Sequence, residues 1–214
     1  MESFLSSAFT SVKICGITRE SDADLVAELG VDALGVNFWP QSRRYCDPET
    51  AKSFLTAVKD RILRVGVFVN NSRPMGEELF QNGLIDVVQL HGDETLADVH
   101  HFLNQGIPVI QAVSAENLPE HELPSENFAL LIDTPAGKDY GGTGRTFDWA
   151  IAKSFIEQNP AIPVILAGGI TPENAEDAIS QVSPAAIDVA SGAEESPGMK
   201  DSMKVRAFLD LLHS

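Results

Sequence analysis

With 214 residues, 43% of them hydrophobic, the chain is long enough for one large domain and apolar enough for an ordinary globular core. Its formal charge of −16 excludes general affinity for nucleic acid or anionic membrane, so any functional cation must be placed locally. No apolar run approaches the roughly 18 residues that span a bilayer. Cys15 and Cys46 come without a secretory signal, which predicts a reducing, cytoplasmic setting.

Residues 1–10 read as a short N-terminal extension, with neither an Arg-rich helix nor a long apolar core. The first strand follows. Val12, Ile14 and Ile17 give strand character, and Gly16 stops the strand just after a thiol. Alternation puts Lys13 and Cys15 on one face, so a cation and a thiol reach a strand end together. With residues 12–15 as the first, further apolar, β-branched runs cover 33–37, 63–69, 87–90, 109–113, 129–133, 164–167 and 186–190. Helical patterns fall between them near 21–29, 48–58, 74–82, 96–103, 148–156, 172–179 and 200–212. Pro48, Pro74 and Pro172 suit first turns, and Gly30, Gly83 and Gly106 suit C-terminal caps. The stretch 116–122, where a fifth helix would fall, is proline-interrupted and predicts a short or irregular segment.

Strand–helix alternation argues for a parallel sheet covered by helices. Eight repeats of it fit a single-domain (β/α)8 barrel, an α/β fold, over residues 11–214. A doubly wound open sheet is the competing architecture, but no Gly-x-Gly-x-x-Gly follows the first strand. Counting by twos predicts the inward pairs Lys13 and Cys15, Gly35 and Asn37, Gln89 and His91, Gln111 and Val113, Leu131 and Asp133, and Asp188 and Ala190. Burying so many polar groups requires partners, and a Lys13–Asp188 ion pair between first and last strands is expected.

Cys15, His91 and Asp133 would end at the carboxyl rim, where barrel enzymes carry their chemistry. Glycine-bearing stretches follow strands 6, 7 and 8: Gly141-Gly142-Thr143-Gly144, Gly168-Gly169-Ile170-Thr171 and Ser191-Gly192-Ala193-Glu194. Glycine lets backbone N–H groups approach a phosphate, so Gly142, Gly144, Gly168, Gly169, Ser191 and Gly192 are expected to cradle a small phosphorylated metabolite. A lone thiol is more often a small buried hydrophobe than a catalyst, and only the strand-end position of Cys15 brings the two readings level. Asp133 could cap the following turn, or be a carboxyl in an apolar collar whose pKa rises, as a general acid needs. His91 could be a ligand, a base or a satisfied rim histidine; the residue alone favours the last, and it is carried among the substrate-binding candidates. Cys46 is given no role, and no Cys/His/Asp cluster has metal spacing.

Taken together in order, several segments make the chain resemble the phosphoribosylanthranilate isomerases, the tryptophan-pathway barrels. They are Lys13-Ile14-Cys15-Gly16-Ile17-Thr18, Phe38-x-x-x-Ser42-x-Arg44, Val87-Val88-Gln89-Leu90-His91-Gly92, Leu131-Ile132-Asp133, Gly141-Gly142-Thr143-Gly144-x-x-Phe147-Asp148-Trp149, Leu166-Ala167-Gly168-Gly169-Ile170, and Asp188-Val189-x-Ser191-Gly192-x-Glu194-x-x-Pro197-Gly198-x-Lys200-Asp201. The resemblance implies an Amadori rearrangement without cofactor or metal, in a cytoplasmic monomer or homodimer. It implies Cys15 as general base, Asp133 as general acid, Arg44 as the grip on the anthranilate carboxylate, and the glycine loops as the phosphate cradle. Two rivals remain. The histidine-pathway isomerase performs the same rearrangement but implies aspartate where Cys15 stands. A catalytically silent phosphate-binding barrel would need the glycine loops but not Cys15 and Asp133 together.

Overall fold

In the computed structural model, which describes residues 1–5, 9–70, 73–134 and 146–212, eight parallel strands close into one barrel in sequence order. They are β1 (Ser11–Cys15), β2 (Ala33–Asn37), β3 (Leu63–Phe68), β4 (Val87–Leu90), β5 (Val109–Ser114), β6 (Phe128–Asp133), β7 (Val164–Leu166) and β8 (Ala186–Val189). Helices α2 (Glu20–Glu28), α3 (Pro48–Ala57), α4 (Arg73–Gln81), α5 (Leu96–Leu103), α6 (Trp149–Gln158), α7 (Ala175–Val182) and α8 (Ser202–Leu212) follow all strands but the fifth, and α1 (Glu2–Leu5) precedes the ring. Residues 115–127 between β5 and β6 carry no helix, as Pro119 and Pro124 in that stretch would dictate. After β8 a small antiparallel hairpin, β9 (Glu194–Ser196) and β10 (Met199–Lys200), precedes α8.

Alternation explains the two cores. Outward residues such as Ile14, Leu34, Leu130, Leu166 and Ile187 meet helix residues Val26, Phe54, Phe102, Phe155 and Phe208. Inward residues Ala33, Val65, Val87, Ile110, Leu131, Ile165 and Ala186 form a second cluster inside the ring. Phe4 of α1, 3% exposed, belongs to that inner cluster and floors the barrel. Burying one phenylalanine is worth about 1.5–3 kcal/mol, so the extension contributes to the same core as the ring.

Three local expectations are corrected. Gln111 and Val113 do not point inward: on β5 it is Ile110 and Ala112 that join the inner cluster, while Val109 and Val113 pack outside. Gln111 instead reaches the Glu94 carbonyl at 3.4 Å. Pro172 does not open a helix, because α7 starts at Ala175 after a turn in which the Asn174 side chain accepts from the Thr171 N–H at 2.8 Å. Lys200 belongs to a strand and not to the last helix. Elsewhere the punctuation acts as expected. Asp47 caps α3 with Pro48 in its first turn, and Gly30, Gly83 and Gly106 take positive φ just past α2, α4 and α5.

Candidate active site

The C-terminal ends of the strands bring together residues far apart in the chain. On β1, Lys13 and Cys15 share the inward face, and Lys13 Nζ donates to Asp188 Oδ1 on β8 at 2.6 Å. Lys13 is wholly buried and Asp188 nearly so, so each charge depends on the other. The Lys13 ammonium and the Cys15 thiol lie together against Gly35. Burial opposes the Lys13 charge, but Asp188 and the thiol outweigh it, and the lysine pKa stands above its ordinary value. Burial pushes the Cys15 thiol up, Lys13 pulls it down, Asp188 pushes it up and Lys200 pulls it down; the balance leaves it raised. Gly35 makes this pairing sterically possible. A Cβ there would lie 2.8 Å from Cys15 Sγ and 3.0 Å from Lys13 Nζ, so thiol and ammonium occupy the space a side chain would take.

Arg44 comes from the loop after β2, and its aliphatic stem lies over Gly16. Its Nε and Nη2 donate to Glu194 Oε1 and Oε2, both at 2.8 Å, in a fork-to-fork pair that is 14% and 4% exposed. Glu194 Oε1 also accepts from Lys200 Nζ at 2.8 Å and from the Gly198 N–H at 3.1 Å. The pairing consumes one edge of the guanidinium and leaves the Nη1–Nη2 edge as a second fork. Arg43, its neighbour, is exposed.

Asp133 ends β6. Its Oδ1 accepts from the Thr134 N–H at 2.7 Å, and its Oδ2 faces His91 Nε2 at 3.4 Å. The carboxyl is therefore half-buried, with polar partners among the described residues. His91 Nδ1 meets the Gln89 Nε2 amide at 2.9 Å, so Gln89 holds the ring while the other ring nitrogen faces Asp133. Gln89 is wholly buried, and among the described residues its Oε1 has no hydrogen-bond partner.

Between these two groups around the ring lie β7 and β8. Gly168 and Gly169 after β7 have φ of 86° and 64°, which favour glycine. A Cβ on Gly168 would collide with Thr134 and lie 3.0 Å from Asp133 Oδ1, so this glycine makes room for the end of β6 and the residue after it. Gly192, in the short 3-10 turn Ser191–Ala193 after β8, lies against the Ile170 carbonyl, so the two loops touch. Gly142 and Gly144 lie outside the described residues.

The structure thus gathers Cys15, Arg44, Asp133, His91, Gly168, Gly169, Ser191 and Gly192 at the strand ends and the loops that follow them. Glu194 and Lys200 stand with them but have no role in the sequence reading. Their signal there is their place in the last segment of the resemblance, a glutamate and a lysine either side of Pro197-Gly198. Among the described residues no helix is long and apolar enough to cross a membrane.

Residues 12–211 match the family model described as N-(5′-phosphoribosyl)anthranilate (PRA) isomerase. The N-(5′-phosphoribosyl)anthranilate isomerase of Syntrophus aciditrophicus is 41% identical over 202 residues, 94% of this chain and 86% of that protein. The crystal structure of phosphoribosyl anthranilate isomerase from Thermotoga maritima superposes with a TM-score of 0.81 at 33% identity, covering 95% of this chain and 98% of that one. A phosphoribosyl anthranilate isomerase solved in complex with reduced 1-(o-carboxyphenylamino)-1-deoxyribulose 5-phosphate superposes with a TM-score of 0.76 at 32% identity, with the same coverage. Motif order, barrel and comparisons agree, and the chain belongs to the N-(5′-phosphoribosyl)anthranilate isomerase family.

Proposed function

We propose that the barrel, a cytoplasmic enzyme with residues 11–214 as its catalytic domain, converts N-(5-phosphoribosyl)anthranilate to 1-(2-carboxyphenylamino)-1-deoxyribulose 5-phosphate. Asp133 gives a proton to the ring oxygen of the ribose, the C1–O bond breaks, and the furanose opens to a Schiff base. The Cys15 thiolate then takes the C2 proton, leaving an enolamine that tautomerises to the ketone with a proton added at C1. Atoms balance: protons leave C2 and its hydroxyl, protons arrive at the ring oxygen and at C1, and no electron acceptor is needed. Acid and base catalysis at two points of one bound sugar is what an aldose–ketose isomerisation requires. The thiolate is the form that acts, and the thiol is raised at rest, so Lys13 and Lys200 are the groups that make its ionisation accessible.

The observation that carries this reading is the order around the ring. Asp133 on β6 and Cys15 on β1 flank β7 and β8, whose touching glycine loops supply the phosphate seat. A ribose 5-phosphate anchored between them presents its ring to an acid on one side and a base on the other. The outer Nη1–Nη2 fork of Arg44 serves the anthranilate carboxylate, and His91 contacts substrate beside Asp133. Monomer or homodimer, the site as assigned is complete within one chain. Freshly made phosphoribosylanthranilate, followed by its fluorescence, tests the reading: the purified protein should speed the fluorescence loss above the spontaneous rate. Binding without turnover would leave a phosphate-binding barrel, and turnover only on the histidine-pathway substrate would move the chain to the rival isomerase.

A further inference from the structure

The hairpin β9–β10 enters the chemistry above only through the charges of Glu194 and Lys200, yet its backbone is also tied to the mouth, from its turn and from β10. The Thr18 hydroxyl donates to the Gly198 carbonyl at 2.7 Å, and the Lys200 N–H donates to Asp22 Oδ2 at 3.0 Å. Lys204 of α8 holds the Glu194 carbonyl at 2.7 Å. At the centre is the Lys200 side chain, wholly buried. Its ammonium has three protons to donate and three acceptors: the Cys15 carbonyl at 2.5 Å, Glu194 Oε1 at 2.8 Å and the Ala190 carbonyl at 3.3 Å. Those acceptors belong to the end of β1, the carboxylate that carries Arg44, and the residue just past β8.

We infer that Lys200 is a positioning residue for the isomerisation: its ammonium ties the backbone of Cys15 to the carboxylate that holds Arg44, so base and carboxylate clamp are set as one unit. The inference rests on the roles of Cys15 and Arg44 proposed above. A purely structural staple could hold any carbonyl, whereas this one holds the carbonyl of the residue that carries the thiol. Charge points the same way. The groups around the thiol are Lys13 on β1, Asp188 on β8, Arg44 from the loop after β2, and Glu194 and Lys200 of the hairpin. Cations outnumber anions by one, and a thiolate brings the cluster to neutrality. Without Lys200 the same thiolate would be one negative charge in excess, in a site where burial already opposes it.

The test uses a Cys46→Ala parent, in which Cys15 is the remaining thiol, carrying Lys200→Met or Lys200→Gln. Lys204→Met is the control, because it loosens the same hairpin from its backbone. Turnover, thermal unfolding and the pH midpoint of Cys15 alkylation by iodoacetamide are measured for each. Both Lys200 variants should lose roughly 10- to 100-fold in kcat, the scale of a misplaced catalytic group. Their KM should rise, and their alkylation midpoint should move to higher pH. Lys204→Met should lower the unfolding temperature and leave kinetics and alkylation at the parent's values. If folded Lys200 variants keep the parent's kcat and alkylation midpoint, or if Lys204→Met reproduces all their losses, the inference is overturned. Should both Lys200 variants fail to fold, Lys200→Arg keeps the charge while displacing the head group. It should hold the alkylation midpoint and raise KM, and unchanged KM would count against the inference. The alkylation readout needs no substrate. It therefore separates a failure here from a failure of the functional reading, which would show as a parent without turnover or a fully active Cys15→Ala.

Discussion

The two sides of the mouth are built differently. Around Cys15 the contacts are ionic, buried and interlocked: Lys13 with Asp188, Arg44 with Glu194, and Glu194 with Lys200. Around Asp133 they are a backbone N–H, a histidine at 3.4 Å and a glutamine with one amide oxygen unpartnered among the described residues. A thiol needs a strong local field to ionise when burial opposes it, and only nearby cations supply one. A carboxyl that must both hold and release a proton is better served by weak, neutral contacts. The Cys15 side is a fixed electrostatic frame, and among the described residues the Asp133 side has no such frame.

That contrast breaks first on the two residues proposed to carry protons. Cys15→Ala and Asp133→Asn should each lose about 10²–10⁴-fold in kcat, the usual worth of a proton-transfer group, while still binding product. Steady-state kinetics and product titration check this, and a wild-type kcat in either variant rejects that residue's role. Next come the adjacent arginines. Arg44→Ala should raise KM by the equivalent of about 2–5 kcal/mol, part of it from leaving Glu194 with Lys200 alone. Arg43→Ala, on the exposed side, should cost under about 1 kcal/mol. Equal small effects would replace the clamp by simple electrostatic steering. Gly35→Ala sharpens the picture from beneath. The added methyl competes with thiol and ammonium for one space, so kcat should fall roughly 100-fold in a barrel that still folds. Full activity would mean that the close packing on Gly35 is not needed for the chemistry.

The smallest effect is on pH. A thiol whose folded pKa is raised keeps its proton in the folded state where the unfolded chain would lose it. Its contribution to stability is therefore complete below the ordinary thiol range, about pH 8.5, and is lost as pH climbs through the folded value. Burial and then Asp47 push Cys46 up to about 11, so it acts in the same direction, and stability should fall between about pH 8.5 and 11. Denaturant midpoints in wild type and Cys46→Ala check the sign. A wild type that gains stability over that window would reverse it.

Much of this frame is legible in the chain and some of it is not. Strand positions are, because each strand buries a short β-branched run bounded by turn residues. The Lys13–Asp188 pair is legible too, since two opposite charges share the inward face of strands that must meet when a ring closes. The facing of β5 is not. Polarity favours Gln111 inside, but register against β6 puts Ile110 opposite Ala129 and turns Gln111 toward the Glu94 carbonyl. Glu194 and Lys200 escape for another reason. In a chain of charge −16, one glutamate after a glycine loop and one lysine at the expected start of the last helix look like solvated surface, and only tertiary packing makes them 4% and 0% exposed. Gly168 shows a third limit: the sequence marks a glycine there, and only the fold shows that its Cα side is taken up by Thr134 and Asp133.

The ties on the Cys15 side also bear on how the chain comes to fold. Neighbouring strands elsewhere in the ring are joined by short lengths of chain, but β8 meets β1 with almost the whole sequence between them. Lys13 and Asp188 stand 175 positions apart, and Lys200 and Cys15 185. Closing such loops is entropically the most expensive contact the chain makes, and nonlocal contacts of this kind are formed slowly. An open ring with every strand and helix in place would still lack its thiol's field and its arginine's anchor. The seam that turns a curved sheet into a barrel is also the seam that assembles the surroundings of Cys15.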